Sequence, residues 1–323
     1  MKTVAFFNNK GGVGKTSLLF HLAHMFALLG ETVIAADFDP QANLTGMFLP
    51  EARIQELWAA ERGATVFSAM QPLMGGTGDL LPVAAKRVAD RVFLLPGDLG
   101  LAEIEDELST QWPRCLSGEE RAFRVTAAFD RMLRRAGEAQ HAAIGLIDVG
   151  PNLGAINRCA LVAADYVVIP VSPDLFSIRG LQNVGPRLRL WRRDWQDRRS
   201  RSPSTLDFPL PAGEMRPIGY VAARYSSFGS SAAQAFQRWL DRAPGAYAQS
   251  VLEEAPSPTS ADPHRLGQLK DYRSLMALAQ EARKPMFLLR PADGAIGGHQ
   301  AAVQACYADF QVLAETIAQR IGL

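Results

Sequence analysis

The chain has 323 residues, 48% of them hydrophobic and 21% charged, and its 34 basic side chains against 33 acidic ones leave a formal charge of +1. That balance excludes a disordered polyelectrolyte and a uniformly basic nucleic-acid coat, so any charge-driven partner must be met by a local patch. Three cysteines, Cys115, Cys159 and Cys306, stand far apart and outside CxxC spacing, which excludes a disulfide framework and points to a reducing compartment.

In chain order, an apolar run at 4–7 predicts a buried strand, followed by a Gly-rich turn and a helix whose Leu18, Leu22, Met25, Phe26 and Leu29 keep helical spacing. Gly30 stands where a C-terminal cap belongs. Further apolar runs at 32–36, 91–95, 142–147, 166–171 and 218–222 predict five more strands. Runs buried on both faces and separated by helical stretches imply an α/β fold, a mostly parallel central sheet flanked by helices on both faces. Pro-rich stretches at 200–213 and 254–263 predict surface loops, and the simplest organisation is one domain over 1–323. The last segment carries Val303, Tyr307, Phe310, Leu313, Ile317 and Ile321 on one stripe, an amphipathic helix expected to pack on the sheet. No run of 18 apolar residues escapes polar interruption, and Met-Lys-Thr leads straight into a strand with no Ala-x-Ala cleavage pattern, so a cytoplasmic, soluble protein without stable membrane insertion is expected.

Residues 9–17 read Asn-Lys-Gly-Gly-Val-Gly-Lys-Thr-Ser, directly after the first strand and opening the first helix. This is the context of a phosphate-binding loop. Gly11, Gly12 and Gly14 let the backbone around Val13 curl until its N–H groups face phosphates, and the positive end of the helix adds to them. Lys15 is placed to reach the β- and γ-phosphates of ATP, Thr16 to ligate Mg²⁺, and Ser17 to complete the loop. Asp37 and Asp39, in Asp-Phe-Asp-Pro-Gln, close the second strand, where a metal and an attacking water must be held. Asp148 ends the apolar strand Gly-Leu-Ile-Asp in the Walker B arrangement and is a metal-shell candidate with Thr16 and Asp37.

The first glycine of the usual GxxxxGK[ST] pattern is replaced by Asn9, and Lys10 adds a second lysine, giving KGGVGKT. With the DxDPQ element and the Asp148 segment, the sequence closely resembles the ParA/MinD family of deviant Walker A ATPases of the P-loop superfamily. The resemblance is specific over residues 2–45, fair over 90–180, and rests on element order beyond about 185. It implies a P-loop NTPase fold, ATP and Mg²⁺ as cofactors, and a homodimer closed around two nucleotides, with Lys10 reaching the partner's nucleotide. It further implies that Asp39 orients the attacking water and that Asp37 supports the metal shell. Gly150-Pro151 stands where the family has two prolines, which leaves that loop more flexible and removes no ligand. For the adenine, only Arg224 and the turn at 291–294 are candidates.

Residues 187–201 hold seven arginines and two aspartates, a local +5. Leu188, Trp191 and Trp195 would face the core, leaving Arg187, Arg189, Arg192, Arg193, Arg198 and Arg199 as candidates for nonspecific DNA binding, which the resemblance implies for the ATP-bound dimer. A solvated arginine-rich helix reflecting composition is the alternative. His21 and His24 lack a third ligand at metal spacing. The family implies weak ATP hydrolysis stimulated by a ParB-like or other adaptor, nucleoid association when ATP-bound, and the positioning of plasmid, chromosome or protein cargo. A MinD-like membrane-cycling ATPase, a metal-cluster carrier and a nucleotide-gated switch without turnover are the competitors. The last helix lacks a basic face and the cysteines lack the carrier's glycine pattern, which argues against the first two.

Overall fold

The structure is a computed structural model that describes all residues except 61–62, 173, 226–237, 256–261 and 273, together with the side chains of Leu175, Arg224 and Tyr225. Eight strands form one sheet in the order β3-β4-β2-β5-β1-β6-β7-β8. They are β1 (Lys2–Phe6), β2 (Val33–Asp37), β3 (Lys86–Ala89), β4 (Val92–Leu95), β5 (Ile144–Asp148), β6 (Tyr166–Val171), β7 (Arg216–Tyr225) and β8 (Arg265–Lys270). Every neighbouring pair is parallel except β3 with β4, which form an antiparallel edge. The six strands expected from apolar runs are all present. The two that were not, β3 and β8, are the sheet's outer strands, and their mixed sequences KRVA and RLGQLK reflect strands covered on fewer sides.

The helices are α1 (Lys15–Leu28), α2 (Asn43–Phe48), α3 (Glu51–Ala59), α4 (Val66–Met74), α5 (Glu105–Arg114), α6 (Glu120–Thr126), α7 (Ala128–Ala139), α8 (Ala155–Val162), α9 (Leu175–Arg199), α10 (Ala243–Tyr247), α11 (Ser274–Ala282) and α12 (Gly298–Ile321). Side chains alternate along each central strand, so Ala5 and Phe7 enter one core while Val4 and Phe6 enter the other. The first core is closed by α4 through α9, the second by α1, α11 and α12. In α12 the expected stripe is buried against this second core at Phe310, Leu313, Ile317 and Ile321, while Val303 is half-buried at its edge and Tyr307, expected on the same stripe, is exposed. Among the described residues no helix is long and apolar enough to cross a membrane. The 200–213 stretch carries no helix or strand, as predicted; of 254–263, residues 256–261 lie outside the described residues.

His21 explains why the His21/His24 pair is not a metal site. Its Nδ1 meets the Ser17 carbonyl at 2.7 Å, its Nε2 accepts the Met286 N–H at 3.1 Å, and its ring stacks on Phe310. It thus ties α1 to the segment before α12. Burial pushes the pKa of His21 down to about 4, and that of His24 likewise to about 4. Between pH 6.5 and 4 the unfolded chain therefore binds these protons and the folded chain does not, so this stability is present above pH 6.5 and is lost as the pH falls toward 4. A His21→Gln variant removes one such proton. Urea unfolding between pH 6.5 and 4.5 should show wild-type stability falling more steeply than the variant's, by about 1.4 kcal/mol per pH unit at most; equal slopes would contradict the assignment.

Candidate phosphate-binding site

The site lies where β1, β2 and β5 end side by side. The parallel register sets Phe6 opposite Asp148 and Asp37 opposite Asp148, so the two acids occupy adjacent strand ends beside the loop that leaves β1. The loop turns through Gly12 and Gly14 at φ +74° and +85°, values an L side chain adopts only under strain. Gly14 caps α1 without any side-chain acceptor, so the first amides of the helix are not satisfied within it and remain available to an anion. Val13 is fully buried and anchors the crest of the loop.

Lys15 is buried at the base of the loop, its Nζ 3.2 Å from the Asn8 carbonyl. Burial lowers its pKa, while the charges of Asp148 and Asp39 pull it back up. Asp148 is fully buried, and neither of its carboxylate oxygens has a hydrogen-bond partner in the protein. Its pKa is raised well above the ordinary value, first by burial and then by the charge of Asp37, against the opposing pull of Thr16 and Lys15. Asp37 is equally buried. Its Oδ2 accepts the N–H and the hydroxyl of Thr45, both at 2.7 Å, while its Oδ1 has no partner. Burial, outweighing the Thr45 hydrogen bonds, raises its pKa to about 7. The Thr45 hydroxyl also accepts the Gly97 N–H at 2.8 Å, and a Cβ on Gly97 would lie 2.8 Å from Asp37 Cγ. Gly97 is thus required for this close approach. Asp39 is buried with its Oδ1 accepting the Gln41 N–H at 3.0 Å, and a Cβ on Gly150 would lie 3.2 Å from the same oxygen.

Three partnerless oxygens in a buried cluster beside free amides and a buried lysine are a donor set suited to a hydrated cation carried in by phosphate. Among the described residues no three His, Cys, Asp or Glu side chains form a metal cage of their own, so such an ion must take part of its shell from the ligand and water. Beside Val13, Gly14 and Ser17 opens a cavity of ≈ 380 Å³ whose outer wall includes Tyr272, Met276 and Phe310. Its position and mostly apolar lining suit a nucleobase. The turn at 291–294 does not line it, and the Arg224 side chain lies outside the described residues. The wall from β8 and α11 was not legible because nothing in its sequence marks a ligand.

Lys10 does not project freely. It forms an ion pair with Asp174, and its Nζ lies 3.4 Å from the Ser177 hydroxyl. Asp174 also caps α9, its Oδ1 accepting the Ser177 N–H at 2.9 Å. Partial burial works against the Asp174 carboxylate, but the Lys10 hydrogen bond, the Ser177 amide and the Lys10 charge outweigh it and hold its pKa down. Nothing in the sequence couples Asp174 to a lysine 164 residues earlier. Neighbouring Pro173 lies outside the described residues.

The arginine segment occupies the C-terminal half of α9, with Leu188, Trp191 and Trp195 buried as expected. Its arginines divide sharply. Arg189 donates to the carbonyls of Ser250 and Val251, Arg192 to those of Glu214 and Met215, and buried Arg198 to those of Trp112 and Asp194. Arg187 lies over the Trp191 ring. Of the six candidates Arg193 and Arg199 are exposed, Arg193 pairing with the adjacent Asp194 at 3.6 Å; Arg201, beyond the helix, is exposed and pairs with Asp197. The expectation of six arginines on an open face is thus corrected: three are committed to main-chain carbonyls of neighbouring segments.

Comparison with known proteins places this geometry in context. A family model described as an AAA domain, AAA_31, matches residues 1–198. Protein IncC of Escherichia coli is 33% identical over 184 residues, covering 57% of this chain and 44% of IncC. The chromosome-partitioning ATPase Soj of Treponema pallidum is 30% identical over 181 residues, covering 56% of this chain and 60% of that protein. The matched part therefore spans about half the length of these curated relatives. Protein DIP2308 of Corynebacterium diphtheriae superposes with a TM-score of 0.73 at 23% identity, over 99% of this chain and 98% of that one. An ATP complex of a Cyanothece McdA variant does so with 0.66 at 18%, over 100% and 97%. At these identities the likenesses establish the fold alone, a mostly parallel α/β architecture.

Proposed function

This chain belongs to the AAA domain family AAA_31, in the ParA/MinD group of P-loop proteins, and on that footing we propose that it is a Mg²⁺- and ATP-dependent dimerising ATPase of the ParA type. The observation that carries the reading is the buried carboxylate pair Asp37 and Asp148, with three of its four oxygens partnerless, beside a loop of unsatisfied amides and the buried Lys15. Such a cluster is costly without a ligand and is completed by a metal-bound triphosphate.

In this reading the loop amides and Lys15 bind the β- and γ-phosphates, and Ser17 and the adjoining cavity take up the nucleoside. Thr16, Asp37 and Asp148 would hold Mg²⁺, which supplies charge neutralisation on the phosphate oxygens when bound. Asp39, two residues beyond Asp37 at the end of β2, orients the attacking water; the adjoining Gly150 adds no side chain to crowd it. Lys10 exchanges Asp174 for the phosphates of a second copy, so that its charge is delivered only when two chains meet, in the manner of a finger supplied in trans. Hydrolysis is weak in the lone chain and raised by an adaptor of the ParB kind, and the cycle positions DNA or a protein cargo. Soj is named a chromosome-partitioning ATPase, and a solved relative from Borrelia burgdorferi, bound to AMPPNP, is described as a putative plasmid partition protein. Nonspecific DNA is the matrix this reading assigns to the arginine face, through Arg193 and Arg199.

Replacing Lys10 by Ala should leave ATP binding in place, abolish ATP-dependent dimerisation in analytical ultracentrifugation, and lower hydrolysis at least about 100-fold, given that charges supplied in trans are worth more than this in related chemistry. Dimerisation and turnover both at wild-type level would overturn the role in trans. Reversing Arg193 and Arg199 to Glu should weaken ATP-dependent binding to DNA of any sequence and lower the slope of log affinity against log salt by about 2, with thermal stability retained. Unchanged affinity in the folded variant would return the face to a purely solvated one.

A further inference from the structure

The segment between Asp148 and α8 carries Gly150, where a Cβ would lie 3.2 Å from Asp39 Oδ1, and it is restrained from both ends. At the near end it leaves β5 in register with β1 and β2. At the far end a residue from outside every recognised motif holds it. The carboxylate of Glu105, the first residue of α5, accepts the N–H groups of Ala155 and Ile156, the latter at 2.9 Å. These are the first amides of α8, which otherwise has no side-chain cap. A Cβ on Gly154 would lie 2.5 Å from Glu105 Oε1, so the chain passes this carboxylate with no room for a side chain. Inside α8, Asn157 is fully buried and its Nδ2 donates to the carbonyls of Gly150 at 2.7 Å and Asn152 at 2.8 Å.

The anchor is itself rigid. Further along α5, the Trp112 ring is flanked by the Arg158 guanidinium of α8 at 4.3 Å and the Arg198 guanidinium of α9 at 4.5 Å, and Arg198 Nε donates to the Trp112 carbonyl at 2.8 Å. Helices α5 and α8 are thus joined at two points, the Glu105 carboxylate and the Arg158–Trp112 contact. A carboxylate at a helix N-terminus gains from both the free amides and the helix dipole, so the join is strong. This arrangement offsets the flexibility expected of a loop carrying Gly150: the loop is held through its ends instead of through its own backbone.

We propose that Glu105 is a positioning residue for ATP hydrolysis: by fixing the start of α8 it sets, through Asn157, where Gly150 lies against Asp39, and hence whether the water-orienting carboxylate is correctly placed. The inference rests on the ATPase reading above. Glu105 touches neither the phosphate loop nor the nucleoside cavity, so its loss acts on the chemical step and not on nucleotide capture.

The test is steady-state hydrolysis by the full chain carrying Glu105→Ala or Glu105→Gln, with hydrogen exchange of residues 150–156 measured without nucleotide. The expected result for Glu105→Ala is a kcat lowered on the order of tenfold to 100-fold, the scale set by misplacement of a reacting group by about 1 Å. KM should be unchanged and exchange at 150–156 faster. Glu105→Gln, which keeps one of the two acceptor oxygens, should recover part of both. A folded Glu105→Ala protein with wild-type kcat, or a kcat and KM that change together with no rescue by Gln, would overturn the proposal. If the wild-type chain does not hydrolyse ATP, the ATPase reading fails by itself. The exchange measurement then still decides whether Glu105 fixes this loop, since unaltered protection at 150–156 in the Ala variant would contradict the clamp.

Discussion

Two carboxylates and an ammonium taken out of water at the end of a parallel sheet are the constraint around which this molecule is arranged. Asp37 and Asp148 reach their positions because β2 and β5 run in register, and the burial that raises their pKa values follows from cores packed on both faces of those strands. Only one of the four carboxylate oxygens is satisfied, by Thr45 from α2, and the space for that contact exists because Gly97 has no side chain. A cluster of this kind lowers stability unless something completes it. In the proposed reading a cation bearing phosphate oxygens completes it, and the free amides at the head of α1 would receive those phosphates from the other side.

Helix α9 joins the two ends of the proposed cycle. Its N-terminal cap, Asp174, holds Lys10 of the phosphate loop, and its C-terminal end carries the arginines. Most of those arginines bind the molecule to itself. Arg189 and Arg192 seat the segments at 250–251 and 214–215, and Arg198 is packed on Trp112 beneath α5. A +5 stretch in sequence therefore reduces to a few exposed charges in space. In the proposed dimer even that modest face would be doubled, so the net charge of +1 does not oppose the proposed matrix contact.

How much of this was legible in the sequence depended on distance along the chain. The phosphate loop, with its glycines, Lys15 and Thr16, is contiguous, and its chemistry demands those residue types in that order. Asp37, Asp39 and Asp148 were legible because each ends an apolar strand, and strand ends of a parallel sheet converge. The Lys10–Asp174 pair and the Glu105 clamp on Ala155 and Ile156 were not, because each joins residues brought together only by folding. The outer strands β3 and β8 escaped for a different reason: strands at a sheet's rim do not need the unbroken apolar runs that reveal central ones. The arginine segment was overread because composition records charge but not what each guanidinium reaches.

The central claim is that the buried acids are completed by a metal ion and a triphosphate together, and thermal unfolding tests it most directly. Melting the chain with Mg²⁺ alone, with ATP in excess EDTA, and with both separates the contributions. The account predicts that both together raise Tm, by an amount corresponding to about 2.7 kcal/mol at a ligand concentration 100 times Kd. It predicts that Mg²⁺ alone gives no rise, since the described residues build no metal cage. A full rise with Mg²⁺ alone, or none with Mg²⁺ and ATP together, would contradict it.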